Sequence, residues 1–121
     1  MTLAEQLTEI YLKHETWHNG DKLSYGESIK YHERILANGE CITISIGEKL
    51  IGYVEFQYDP WICYIRNLFI LPEYRNKEAI WKLRERLFQV CPNCKIFRGD
   101  RNKNGERKLE WVKRKLAAQL T

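Results

Sequence analysis

At 121 residues, with 44% hydrophobic and 30% charged positions, the chain has the size and composition of one globular domain over 1–121, and its core needs no disulfide or metal staple. No apolar run approaches the ~20 residues that cross a bilayer, and the opening MTLAEQLTEIYLKHE lacks the basic and apolar regions of a secretory signal. The expectation is a cytoplasmic protein with no membrane contact and four reduced cysteines. The net charge of +4 is uneven: Lys95 to Lys115 carries nine Lys/Arg against three Asp/Glu, a local +6, which leaves −2 for the remainder. Such a segment is either a solvated face or a patch for a polyanion or protein partner.

In chain order, residues 3–16 place Leu3, Leu7, Ile10 and Tyr11 at helical spacing, and Asn19-Gly20-Asp21 signals a turn. Residues 24–37 read as a second helix. Ser24 and Glu27 form a candidate capping box, Ile29, His32, Ile35 and Leu36 share a face, and Asn38-Gly39 closes it. His32 on that apolar face reads as a core histidine. The period then changes to two. Cys41–Ile46 and Leu50–Tyr58 flank Gly47-Glu48-Lys49 as a hairpin, and Trp61–Leu71 is a third strand ended by Pro72. Residues 77–89 predict a helix with Ile80, Leu83, Leu87 and Phe88 inward. Lys95–Arg98 predicts a fourth strand, and 106–119 a last helix with Leu109, Val112, Leu116 and Leu120 apolar. The order α-α-β-β-β-α-β-α implies an α/β (α+β) domain with a mixed sheet flanked by helices.

Three stretches carry a resemblance to a known family. Gly47-Glu48-Lys49-Leu50-Ile51-Gly52-Tyr53-Val54, the run Leu68-Phe69-Ile70-Leu71-Pro72-Glu73-Tyr74-Arg75-Asn76-Lys77, and the set Asn104, Trp111, Lys113 together resemble the GNAT superfamily of N-acetyltransferases from about Cys41 to Lys115. The resemblance implies the GNAT fold, acetyl-CoA as co-substrate and transfer of its acetyl group to an amine of a small molecule or protein. It implies that the main chain of Ile70 and Leu71 holds the pantetheine arm. It also implies that Arg75, Asn76, Lys77, Glu78, Ala79 and Ile80 form the pyrophosphate loop, and that Asn104 orients the cofactor. In this degenerate loop Glu78 and Ile80 stand where the family has glycine-type residues, and Trp111 stands where it has the tyrosine acid. Glu55 on the second strand is then the candidate base, with Tyr64, or Tyr53, as substitute acid.

The family also ends in two further strands that this reading of the chain lacks, so an open edge after the fourth strand is expected to invite a homodimer. These departures set a second reading beside the first: a catalytically inactive binding or structural protein of the same fold that uses residues 95–115 to hold a protein or nucleic acid. Cys91-Pro92-Asn93-Cys94 is read as two reduced thiols at a turn, the alternative being half a zinc site with His14 and His18, and no metal is assigned. Trp17, Trp61 and Trp81 give stacking capacity, but most of the aromatics are expected in the core.

Overall fold

The computed structural model describes residues 1–14, 23–99 and 110–112, the last for backbone only. The elements are α1 (Leu3–His14), α2 (Tyr25–Ala37), β1 (Cys41–Ile46), β2 (Lys49–Tyr58), β3 (Ile62–Ile70), a 3-10 turn (Pro72–Tyr74), α3 (Lys77–Val90), β4 (Ile96–Arg98) and β5 (Glu110–Val112). They build a five-stranded sheet in the order β1-β2-β3-β4-β5. The first three strands are antiparallel neighbours, β3 and β4 are parallel across the α3 crossover, and β5 is antiparallel to β4.

Local chemistry accounts for the boundaries. Ser24 and Glu27 form the expected capping box at the start of α2, each side chain bonded to the other residue's backbone N–H. Gly47 turns the β1–β2 hairpin at φ +61°, a conformation that costs glycine little. Gly52 lets β2 and β3 approach: a Cβ there would stand 3.0 Å from the Phe69 carbonyl oxygen. Residues 50–56 of β2 are buried without alternation, because both faces of that strand are covered.

The two faces carry different helices. Partners in register share a face, so Tyr53, Glu55 and Gln57 lie with Phe69, Asn67 and Tyr64, while Phe56 and Tyr58 lie with Ile65 and Cys63. On the first face, α1 brings His14 against Phe69, and α2 brings the Tyr31 hydroxyl to Glu55. On the second, α3 packs Phe88 on Phe97 at 4.6 Å and sets Cys91, at its C-terminal cap, against Cys63. The helices α1 and α2 are joined by a buried polar cluster. The His32 Nδ1–H donates to the Ser28 carbonyl at 2.8 Å, with the Thr8 and Ser28 hydroxyls at 3.1 and 3.2 Å from that nitrogen. Burial pushes the His32 pKa down, so this core histidine is neutral.

Three expectations are corrected. Ile80 is 41% exposed, because the buried stripe of α3 is Ala79, Leu83 and Leu87, and the next residue turns about 100° away from it. Residues 110–112, expected inside a last helix, form β5; the rest of 106–119 lies outside the described residues. The β4 edge, expected open, is therefore paired from Ile96 to Arg98. The described sheet ends at its other side on β1, where the Thr43 carbonyl accepts from Arg86. Among the described residues no helix is long and apolar enough to cross a membrane.

Candidate functional site

The short β4 covers only the start of β3. It pairs with β3 only from Ile62 to Tyr64, and β3 runs on to Ile70. β4 ends at Arg98, and past Tyr64 no strand among the described residues pairs with that side of β3, the seam. The Leu71 N–H donates toward β2, to the Ile51 carbonyl at 2.8 Å. By alternation Ile70 and Leu68 direct their backbone groups to the seam. The Ile70 carbonyl is already engaged, accepting from Arg75 Nε at 2.8 Å. Of the two main-chain positions expected to hold an arm, Ile70 therefore has its carbonyl bonded and Leu71 its amide, and the group on the seam side that precedes them is Leu68.

The seam leads to a cleft of about 450 Å³ at the mouth of α3, walled by Leu68, Phe69, Ile70 and Ile80 and rimmed by Arg75, Asn76 and Lys77. Asn76 is the N-cap: its Oδ1 accepts from Ala79 N–H at 2.9 Å. Arg75 folds back over the Phe69 ring at 5.2 Å. Arg75 and Lys77 form no ion pair among the described residues. Cations at a helix N-terminus oppose the helix dipole, so they do not serve the helix itself; together with that dipole they make the rim electropositive. Glu78 faces elsewhere. It pairs with Lys82 at 3.5 Å along the helix and lines a different groove, with Trp81 and Ser45. Of the six loop residues read from sequence, the fold thus brings Arg75, Asn76, Lys77 and Ile80 to one cleft, buries Ala79 beneath it and turns Glu78 away.

Glu55 is 8% exposed, opposite Asn67 on β3 and next in register to the strand that walls the cleft. Burial raises its carboxyl pKa, and nearby Arg66 partly offsets the shift. Tyr31 donates its hydroxyl to it. Arg66 is the extra residue of a bulge: Glu55 pairs with Asn67 and Phe56 with Ile65. Tyr64 lies on the Glu55 face, opposite Gln57 and Arg98 at the point where the seam opens, and is 43% exposed. Tyr53 is buried, its hydroxyl accepting from Asn67 Nδ2 at 3.1 Å. The backbone of Trp111 pairs with Phe97. Asn104, and within the basic segment 95–115 residues 100–109 and 113–115, lie outside the described residues.

Tyr31 is the site residue that the sequence reading missed. Its only signal is helical spacing from Ile35, which places it on the packed face of α2. Cys91 and Cys94 lie beside Cys63, while His14 packs on Phe69; His18 is outside the described residues. All four cysteines are buried thiols outside any disulfide, and burial pushes the Cys41 thiol up to about 12. Among the described residues no group of His, Cys, Asp or Glu is arranged to hold a metal ion.

The chain matches the model of the Acetyltransferase (GNAT) family over residues 4–102. No curated protein matches it. Among solved structures it is similar to the acetyltransferase of GNAT family from Streptococcus pneumoniae, at 15% identity and TM-score 0.58 over 79% of this chain and 67% of that one. It is also similar to the diaminobutyrate acetyltransferase of Paenibacillus lautus, solved with L-2,4-diaminobutyric acid and coenzyme A, at 10% identity and TM-score 0.58 over 79% of this chain. An aminoglycoside 6'-N-acetyltransferase complexed with coenzyme A matches at 19% identity and TM-score 0.58 over 84% of this chain. The chain spans 58% of the length of each of the last two. At these identities the likeness is one of fold.

Proposed function

Because the chain belongs to the Acetyltransferase (GNAT) family, we propose that it transfers the acetyl group of acetyl-CoA to an amine. The observation that carries this reading is the seam beside β3, which opens at Tyr64 and ends in the electropositive cleft at the mouth of α3. An extended pantetheine arm suits an unpaired strand side, as an added strand would. A pyrophosphate suits a helix N-terminus flanked by Arg75 and Lys77. Leu68 main chain would hold the arm, and Arg75, Asn76 and Lys77 the phosphates.

Bound acetyl-CoA supplies an acyl carbonyl activated as a thioester. The protein's part is to place an amine against it and move two protons. As the C–N bond forms and the C–S bond breaks, Glu55 takes the proton that the amine loses, directly or through water. A carboxylate with a raised pKa is the stronger base for that task. The departing sulfur takes a proton from Tyr64, which stands on the same face where the seam opens. Tyr31 fixes the Glu55 carboxyl in place. Four cysteines outside any disulfide suit the cytoplasm as the compartment.

Titration with acetyl-CoA tests the reading. At a hundredfold excess over its dissociation constant the ligand stabilises the fold by about 2.7 kcal/mol, which a thermal melt detects. Arg75→Ala should weaken binding by about tenfold or more, the worth of a charge-assisted contact. No shift in melting temperature at millimolar acetyl-CoA would overturn the transferase reading and leave the fold as a binding scaffold.

A further inference from the structure

Beside Glu55 lies a second, smaller cleft of about 130 Å³, bounded by Tyr31, Arg34, Glu40, Glu55, Gln57 and Arg66. Sites that enclose a whole drug-sized ligand have about 300–1,000 Å³, so this cleft takes one end of a ligand only. Its charged groups are two guanidiniums and two carboxylates, brought from α2, β2, β3 and the residue before β1. They do not cancel one another by contact: among the described residues neither Arg34 nor Arg66 forms an ion pair. Arg34 instead lies over the Tyr31 ring at 5.3 Å, and that tyrosine's hydroxyl is spent on Glu55. Arg66 reaches the cleft because it is the bulged residue of β3, and a bulge re-aims the side chain it carries.

This charge pattern selects among ligands. A simple ammonium would face two guanidiniums, and a simple anion two carboxylates. A small ligand with both charges on adjacent carbons meets each with its opposite. We propose that the cleft binds the head of a free amino acid, its carboxylate on Arg34 and Arg66 and its amine toward Glu55, so that free amino acids are the acceptor class. A peptide N-terminus lacks the carboxylate next to its amine and does not match. As an acceptor assignment this rests on the acetyl-transfer reading; as a binding assignment it does not.

The test compares free L-amino acids with their carboxamides in pairs, first for binding by saturation-transfer NMR and calorimetry without acetyl-CoA, then for turnover by release of the CoA thiol. For at least one pair the acid should bind and react about tenfold better than its amide, because the amide loses its charge-assisted contacts with the two exposed guanidiniums. The less basic amine of the amide biases the turnover comparison against this result. Arg66→Gln should collapse the preference to within about threefold through KM rather than kcat, and Arg66→Lys should restore part of it. Arg34→Gln, on a different element, should give the same collapse. Acid and amide binding equally, no acid binding at all, or an undiminished preference in both Gln variants would each overturn the proposal. Amino-acid binding without acetyl-CoA binding would overturn acetyl transfer and uphold the cleft. Acetyl-CoA binding with no acid preference would overturn the cleft assignment alone.

Discussion

The two ends of strand β3 do opposite work. At Cys63 and Tyr64 it is paired on both sides, by β2 and β4, and its Cys63 is sealed against Cys91 at the C-terminal cap of α3. From Ile65 to Ile70 it is paired, among the described residues, by β2 alone, bulged at Arg66, and bordered by a seam, a cleft and a buried carboxylate. One end spends its backbone on the fold, and the other is the end to which the proposed function assigns a ligand. Site and stability are thus separable along a single strand, and substitutions at the two ends should fail in different ways.

The largest difference is expected at Glu55. Glu55→Gln keeps the acceptor for the Tyr31 hydroxyl but removes the base, and kcat should fall about 10²–10⁴-fold. Its stability should move the other way. Burial raises the Glu55 pKa, so folding favours the protonated acid. The favourable contribution is complete below the unfolded-chain pKa and is lost as pH rises through the folded value. The variant should therefore melt above the wild type at pH 8, with the gap closing as pH falls toward 4. A variant that melts lower at every pH would show that Glu55 is structural. His32 has the opposite sign: its depressed pKa makes stability fall as pH drops below about 6.5, the ordinary histidine value. The pH comparison is cleanest in a His32→Gln background.

At the closed end the expected effect is on folding alone. Phe97 is fully buried against Phe88, and Phe97→Ala should cost about 3–5 kcal/mol in denaturant titration. Leu68, half-buried at the open end, should cost only about 1–2 kcal/mol when cut to alanine, but it should weaken acetyl-CoA binding in the folded protein. Equal stability losses at the two positions would erase the distinction.

The sequence showed the fold more plainly than the site, for physical reasons. The capping box at Ser24 and the turn at Gly47 are local chemistry, and they fix α2 and the hairpin from within a few residues. The orientation of α3 is not local. A small Ala79 can lie against the sheet while Ile80 turns outward, and an apolar count alone inverts that choice. Glu110–Val112 was misread because a short apolar run fits either period, and its pairing with β4 is a tertiary fact. Glu55 and the Arg75–Lys77 rim were readable only through resemblance to a family. The Tyr31 contact, the bulge at Arg66 and the seam itself arise from pairings between residues far apart in the chain, which no local pattern encodes.

The smallest expected effect bears on the residue that most compromised the loop in sequence. Glu78 stands where a glycine-type residue is expected beside a diphosphate, but its carboxylate points to Lys82 and the groove of Trp81, not to the cleft. Glu78→Gln loses an exposed ion pair and a favourable helix-dipole contact, together about 0.3–1 kcal/mol of stability. The Glu78 side chain is 77% exposed, so solvent and salt screen its field at the cleft. Acetyl-CoA affinity should therefore improve by less than about threefold, and the gain should vanish at high ionic strength. Calorimetry beside Arg75→Ala decides it. A gain above tenfold that persists in salt would mean that Glu78 reaches the phosphates, and that the open end of β3 holds its ligand against a charge at its own mouth.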